Sequence, residues 1–179
     1  MLNQYLEIFN TATAVIFDYD GTIAKIPIDW SDARKAFRHN FPDIGKDGER
    51  LDQLEFQALK AEIKPEAVFF TRNCIERFKH GEHEPRQEII DFLKLVTVPK
   101  YIISNNLTET VEKGLEQLGI RNEFVDVIGV DKSNEPKPSP GALALLPKEH
   151  QRTDVIVVGD SNETDKPFAQ NAGLRAVIV

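Results

Sequence analysis

AVIFDYDGT, residues 14–22, is the stretch whose reading decides the fold. Four apolar residues run without alternation into two carboxylates and a glycine. Such a run suits a strand buried on both faces, the strand type of parallel sheets. Working outward, four more runs share that character: residues 100–104 (KYIIS), 125–130 (VDVIGV), 155–159 (VIVVG) and 175–179 (RAVIV). Between them lie amphipathic segments at residues 85–96, 108–118 and 139–146, and Gly119 offers the second of these a stop. Strands alternating with helices predict an α/β fold, a Rossmann-like parallel sheet of about five strands flanked by helices.

One interval departs from this rhythm. Residues 26–84 contain no strand-like run, only helical stretches at about 31–40, 48–63 and 65–80. Ser31 suits a helix cap and Pro65 a first turn. Leu51, Leu54, Phe56, Leu59 and Ile63 recur at near-helical spacing. The expectation is a small helical cap insertion at 26–84, set into a Rossmann-like core of residues 1–25 and 85–179. Leu2, Tyr5, Leu6 and Phe9 predict a short N-terminal helix over the core.

In open parallel sheets a ligand sits beyond the carboxyl ends of the strands. The first run ends at Asp18 and Asp20, the second at Ser104, Asn105 and Asn106, the fourth at Asp160 with Asp165 close behind. Lys137 follows the third, between two prolines. Acids, a hydroxyl and an ammonium thus meet at one edge, which suits chemistry on a phosphate ester. Aspartates supply the hard oxygen ligands of Mg²⁺. The metal, Lys137 and Ser104 would hold the phosphoryl oxygens. Of Asp18 and Asp20, two residues apart on one side of an extended chain, one carboxylate can attack phosphorus. The other, Asp20, can protonate the leaving oxygen and then deprotonate water, a role that burial under a cover would favour.

The ordered set Asp18-Tyr19-Asp20-Gly21-Thr22, Ser104-Asn105-Asn106, Lys137 and residues 159–165 (GDSNETD) resembles the haloacid dehalogenase-like hydrolase superfamily, over nearly the whole chain. The phosphoglycolate phosphatase-like type, with a helical cap after the first motif, is the nearest. The resemblance implies Asp18 as nucleophile and Asp20 as general acid/base, with Ser104, Asn105 and Lys137 binding phosphate. It implies Mg²⁺ held by Asp18, Asp160 and the main-chain carbonyl of Asp20, with Asp165 supporting the site. An acid at position 20 argues against the family's carbon–halogen chemistry.

Composition sets the bounds. The chain has 179 residues, 41% of them hydrophobic, and a net charge of −7. Scattered cations argue against a nucleic-acid surface. Cys74 stands alone, so a disulfide within the chain and a cysteine-rich zinc site are excluded. The first basic residue is Lys25 and apolar runs are short, so the expected setting is cytoplasmic, with no membrane partner. The expected substrate is a small phosphorylated metabolite. Competing readings are a phosphomutase acting on a sugar phosphate, a phospho-acceptor signalling module, and a non-catalytic binding module. His80 and His83 read as part of a solvated turn rather than a zinc site. Arg34, Lys35, Arg38 and Arg72 read as exposed helix charges or as contacts to a second anionic group of the substrate. Trp30, Phe37 and Phe41 read as cap core.

Overall fold

The computed structural model describes residues 6–78, 81–151 and 154–179. A helix α1 (Leu6–Asn10) leads into strand β1 (Val15–Phe17), and β2 (Ala24–Lys25) leaves the core. Four helices follow: α2 (Trp30–Asn40), α3 (Leu51–Lys60), α4 (Pro65–Val68) and α5 (Phe70–Phe78). The chain returns through β3 (Glu84–Pro85) to α6 (Gln87–Leu93), β4 (Lys100–Ile103), α7 (Thr108–Gln117), β5 (Asp126–Ile128) and α8 (Val130–Ser133). It closes with β6 (Ile156–Gly159), α9 (Asp165–Asn171) and β7 (Arg175–Ile178).

Five strands pair in parallel in the order β5-β4-β1-β6-β7. Strand β1 is central, and the strand order reverses on either side of it, which places the ligand crevice of such a sheet at its carboxyl end. Phe17 lies level with Ile102 on one side and Val158 on the other. The positions just beyond (Asp18, Ser104 and Asp160) therefore emerge side by side.

Side chains alternate across the strands, and the buried clusters divide accordingly. Val15, Phe17, Ile102 and Val158 pack with Phe9, Ile89, Val111 and Leu115 on one face. Ala14, Ile16, Tyr101 and Val157 pack with Phe168 and Ala169 on the other. A third cluster gathers Ala33, Phe37, Leu51, Leu54 and Ala58, and it reaches Leu107 and Val130 beside the sheet. The helices of residues 30–78 thus share an apolar contact with the loops above β4 and β5.

Several local expectations change. Trp30–Asn40 is capped by Asp29, whose carboxylate accepts from Ser31 N, so Ser31 lies inside the helix. The next helix begins only at Leu51, because Gly48 has φ +88°. The third stretch breaks at Phe69 into two helices. Pro85 does not open a helix. Arg86 N donates to Ile23 O at 2.8 Å, and β2 and β3 pair antiparallel where the chain leaves and re-enters the core. Residues 139–146 form a 3-10 segment, Gly141–Leu145, hemmed by Pro138, Pro140 and Pro147. Of the N-terminal positions, Leu6 and Phe9 pack on the core, whereas Leu2 and Tyr5 lie outside the described residues.

Candidate active site

Strand β1 hands its last ladder bond to Asp18, whose N–H donates to Val158 O at 2.8 Å. The chain then turns back on itself, with Gly21 N donating to Ala24 O at 2.8 Å. Gly21 has φ +85°, and a methyl group there would overlap the Asp160 carboxylate. Only glycine meets both constraints. The turn aims Asp18 and Asp20 into the same cleft. Asp20 Oδ1 accepts from Ile26 N at 2.9 Å, and the Trp30 side chain favours the charged form of this carboxylate. Both residues belong to the segment that rises into the helical unit.

Lys137 reaches the same point from the loop after α8. Its Nζ donates to Asp18 Oδ1 at 2.6 Å and to Asp165 Oδ1 at 2.5 Å, with 3% of its surface exposed. Asn105 fixes that loop reciprocally. Lys137 N donates to Asn105 Oδ1 at 2.6 Å, and Asn105 Nδ2 returns a bond to Lys137 O at 3.1 Å. Asp165 opens α9, and its Oδ2 accepts from Ser161 N at 3.1 Å. Ser104 is buried beside them, donating to Asn106 Oδ1 and accepting from Asn106 N.

The seven residues given site roles from the sequence (Asp18, Asp20, Ser104, Asn105, Lys137, Asp160 and Asp165) therefore meet at one strand edge. Six of them, together with side chains of the helical unit, bound or back a cavity of about 480 Å³. Asp18, Asp20, Asn105, Lys137 and Asp160 line it directly, while Asp165 stands behind Lys137. The helical side contributes Trp30, Arg34, Arg50, Asp52 and Arg72.

Burial raises the Asp18 carboxyl to about 7, with Asp165 and Asp160 adding repulsion and Lys137 opposing both. Burial also raises Asp160, helped by Asp165, while Lys137 and Arg50 counter it. Burial raises Asp20 against the bond from Ile26 and the opposing influence of the Trp30 side chain. For Lys137 the order reverses: burial disfavours its charge, but Asp165 and Asp18 outweigh that and hold it above the usual lysine range.

The donor set suits a divalent cation. Oxygens of Asp18, Asp160 and Asp165 lie within 4.8 Å of one another. Three carboxylates against one ammonium leave two negative charges, which a small hard dication matches in charge and in oxygen preference. The carboxylate of Asp20 lies outside that triplet.

This electrostatic imbalance makes stability depend on pH. Asp18 titrates near 7 in the fold against 3.8 when free, and Glu55, raised to about 7 by burial despite Arg72, against 4.5. Both are raised, so their contribution is complete below the unfolded values and is lost as pH rises through the folded ones. In EDTA, the melting temperature should fall between about pH 4 and pH 7, and the fall should be shallower in Asp18→Asn. Scanning fluorimetry across that range checks both; a steeper fall in the variant would contradict this electrostatic picture.

Some signals were missed or misread. His83 is 4% exposed, not solvated, and its Nδ1 pairs with the Tyr19 hydroxyl at 2.6 Å; His80 lies outside the described residues. Arg72 is buried against Glu55 and Glu76 rather than exposed. Lys35 and Arg38 pair with Asp32 and Asp47. Phe37 lies in the third buried cluster with Trp30 and Phe41 packed against it, and Trp30 also lines the cavity. Arg50 and Asp52 carried no motif. Their one clue was the glycine break just before them.

Comparisons with known proteins bear on the family and the fold. The haloacid dehalogenase-like hydrolase profile matches residues 12–173. Phosphoglycolate phosphatase of Photobacterium profundum is 41% identical over 174 residues, covering 82% of this chain and 74% of that protein. Pyrophosphatase PpaX of Bacillus velezensis is 30% identical over 180 residues, covering 91% and 81%. Phosphoglycolate phosphatase of Vibrio vulnificus (strain YJ016) is 42% identical over 74 residues, a match spanning 40% of this chain and only 32% of the relative's length. Among solved structures, a HAD-superfamily hydrolase from Ehrlichia chaffeensis superposes with a TM-score of 0.59 at 23% identity, covering 93% and 87%, which shows a shared fold.

Proposed function

Because this chain belongs to the haloacid dehalogenase-like hydrolase family, we propose that it is a Mg²⁺-dependent phosphatase acting on a small phosphomonoester through a phospho-Asp18 intermediate. One observation carries the reading: a buried ammonium joins Asp18 to Asp165 at a strand edge where Asp160 completes a triplet of oxygen ligands.

In this mechanism an Asp18 carboxylate oxygen attacks phosphorus. A phosphorus–oxygen bond forms as the ester bond to the leaving group breaks, and Asp20 gives its proton to the departing oxygen. Asp20 then takes a proton from water, which attacks the acyl phosphate and frees Asp18 and inorganic phosphate. Lys137 holds Asp18 in line and offers its charge to the phosphoryl oxygens, assisted by Asn105 and Ser104. Asp18, Asp160 and the Asp20 main-chain carbonyl, with support from Asp165, would hold Mg²⁺, which would supply positive charge for the transferring group. Residues 26–84 act as the cap over a core of 1–25 and 85–179. No helix among the described residues is long and apolar enough to cross a membrane.

The cavity roof supports a reading of the substrate class. Lys25, Arg34 and Arg50 line it. The names of the relatives, phosphoglycolate phosphatase and pyrophosphatase, both describe a phosphate carrying a second anionic group. Arg34 has no ion pair among the described residues, so its charge is available to such a group. Arg34→Ala is expected to raise KM about tenfold for a phosphorylated carboxylate, the worth of one charge-assisted hydrogen bond. p-Nitrophenyl phosphate, which lacks the second anion, should be affected much less. Equal effects on both substrates would remove Arg34 from this role.

A panel of phosphorylated metabolites, assayed for phosphate release with Mg²⁺ and with EDTA, tests the reading. Release that stops in EDTA and returns with Mg²⁺ is expected. Transfer of the phosphoryl group to a sugar without release would favour a mutase. Undiminished release in EDTA would contradict the metal dependence.

A further inference from the structure

We propose that Glu76 on α5 is a positioning residue for the loop at residues 104–107, clamping the phosphate-binding end of β4 to the helical unit above it. The proposal rests on the phosphatase reading for its consequence and on contacts within the fold for its geometry.

Glu76 is 0% exposed, so its carboxylate must find all its partners inside the protein. Its Oε2 accepts from Leu107 N at 2.8 Å. Its Oε1 accepts from Asn106 Nδ2 and from Arg72 Nη1, both at 3.1 Å. Asn106 passes the constraint on: its Oδ1 receives the Ser104 hydroxyl at 3.0 Å, and its N–H returns a bond to Ser104 Oγ at 3.1 Å. The orientation of Ser104 is thus set by a side chain from a helix outside the sheet. Leu107 N is the backbone donor at the entrance to α7, so the same carboxylate anchors the start of that helix.

Arg72 extends the arrangement toward the other catalytic group. It binds Glu55 through Nε and Nη2, and its guanidinium lies over the Trp30 ring at 5.2 Å. Trp30 in turn lines the same cavity as Asp20 and favours the charged form of its carboxylate. One buried cluster therefore touches the Ser104 loop at one end and approaches Asp20 at the other. Buried ion pairs of this kind add little net stability over apolar packing, whereas their directional bonds select one arrangement of the parts they join. Placement of the helices and readiness of the cleft become one event.

The test uses the full chain in wild-type, Glu76→Gln and Asn106→Ala forms, with p-nitrophenyl phosphate as substrate and inorganic phosphate as competitive inhibitor. Glutamine keeps the shape but turns an amide nitrogen toward donors it cannot pair with. Glu76→Gln should raise the Ki of phosphate about fivefold or more and lower kcat about tenfold, as expected for lost orientation of a binding loop. Asn106→Ala, which leaves the Arg72 ion pairs in place, should reproduce the rise in Ki. Faster amide exchange at Leu107 in Glu76→Gln is the reading that does not depend on catalysis. Ki and kcat within twofold of wild type in both variants would overturn the proposal, even if stability fell. Should Glu76→Gln fail to fold, Asn106→Ala decides by the same criterion. An inactive wild type that binds no phosphate would instead defeat the phosphatase reading and the kinetic consequence with it. Unchanged Leu107 exchange in a folded Glu76→Gln would then overturn the clamp as well.

Discussion

Asp18→Asn is expected to lower kcat by on the order of 10⁴-fold or more, the scale of losing a covalent nucleophile, while the protein stays folded. The amide keeps the volume of the carboxylate but cannot attack phosphorus. It also removes a buried charge that its surroundings oppose. Burial and the neighbouring Asp165 and Asp160 raise Asp18 to about 7, even with Lys137 pulling the other way. Above that pH the native protein carries this unfavourable charge and the unfolded chain does not suffer it. The metal-free variant should therefore melt higher than wild type at pH 8 and close to it at pH 5. Turnover and melting temperature measured on the same preparations test this pairing of lost activity with retained stability. A variant that loses activity only because it unfolds would contradict it.

Lys137→Ala is expected to damage both properties. Its ammonium donates to Asp18 and Asp165 at 2.6 and 2.5 Å, and those two partners are 7% and 1% exposed. Removing it leaves two buried carboxylates without their cation. Breaking a buried pair from one side costs about 3–5 kcal/mol. In the proposed mechanism, loss of the positive charge offered to the phosphoryl oxygens should further lower kcat by about 10²–10³-fold. Since Lys137 lowers the Asp18 carboxyl, its removal should also shift the onset of activity to higher pH. Urea unfolding at pH 8 with EDTA checks the stability cost. A midpoint equal to that of wild type would show that the two acids find other compensation.

The sheet was legible because burial on both faces writes itself as continuous apolar runs: all five runs named from the sequence contain a parallel strand. The site was legible for a related reason. Asp18, Ser104 and Asp160 close those runs, and the register of β1 with β4 and β6 turns position in sequence into proximity in space. The helical unit hid more. Glu55, Arg72 and Glu76 sit on amphipathic helices where charge ordinarily means solvent, yet each is at most 3% exposed because the helix faces a polar loop rather than an apolar core. His83 was hidden similarly: its neighbours Gly81, Glu82 and Glu84 are exposed or carry no apolar signal, and its pairing with Tyr19, 64 residues away, helps to draw it inside. The two-residue strands β2 and β3 are too short to leave a periodic signal, and their pairing follows from chain crossing rather than composition.

The central claim is that the side chain of Asp18 carries the phosphoryl group during turnover. Quenching the enzyme with borohydride while it consumes a phosphorylated substrate in Mg²⁺, then sequencing its peptides by mass spectrometry, reads this directly. Reduction of an acyl phosphate leaves homoserine in place of the aspartate that bore it. Homoserine is expected at position 18, dependent on both substrate and metal. Homoserine at position 20 or 160 instead, or an unreduced Asp18 under conditions of rapid turnover, would contradict the claim.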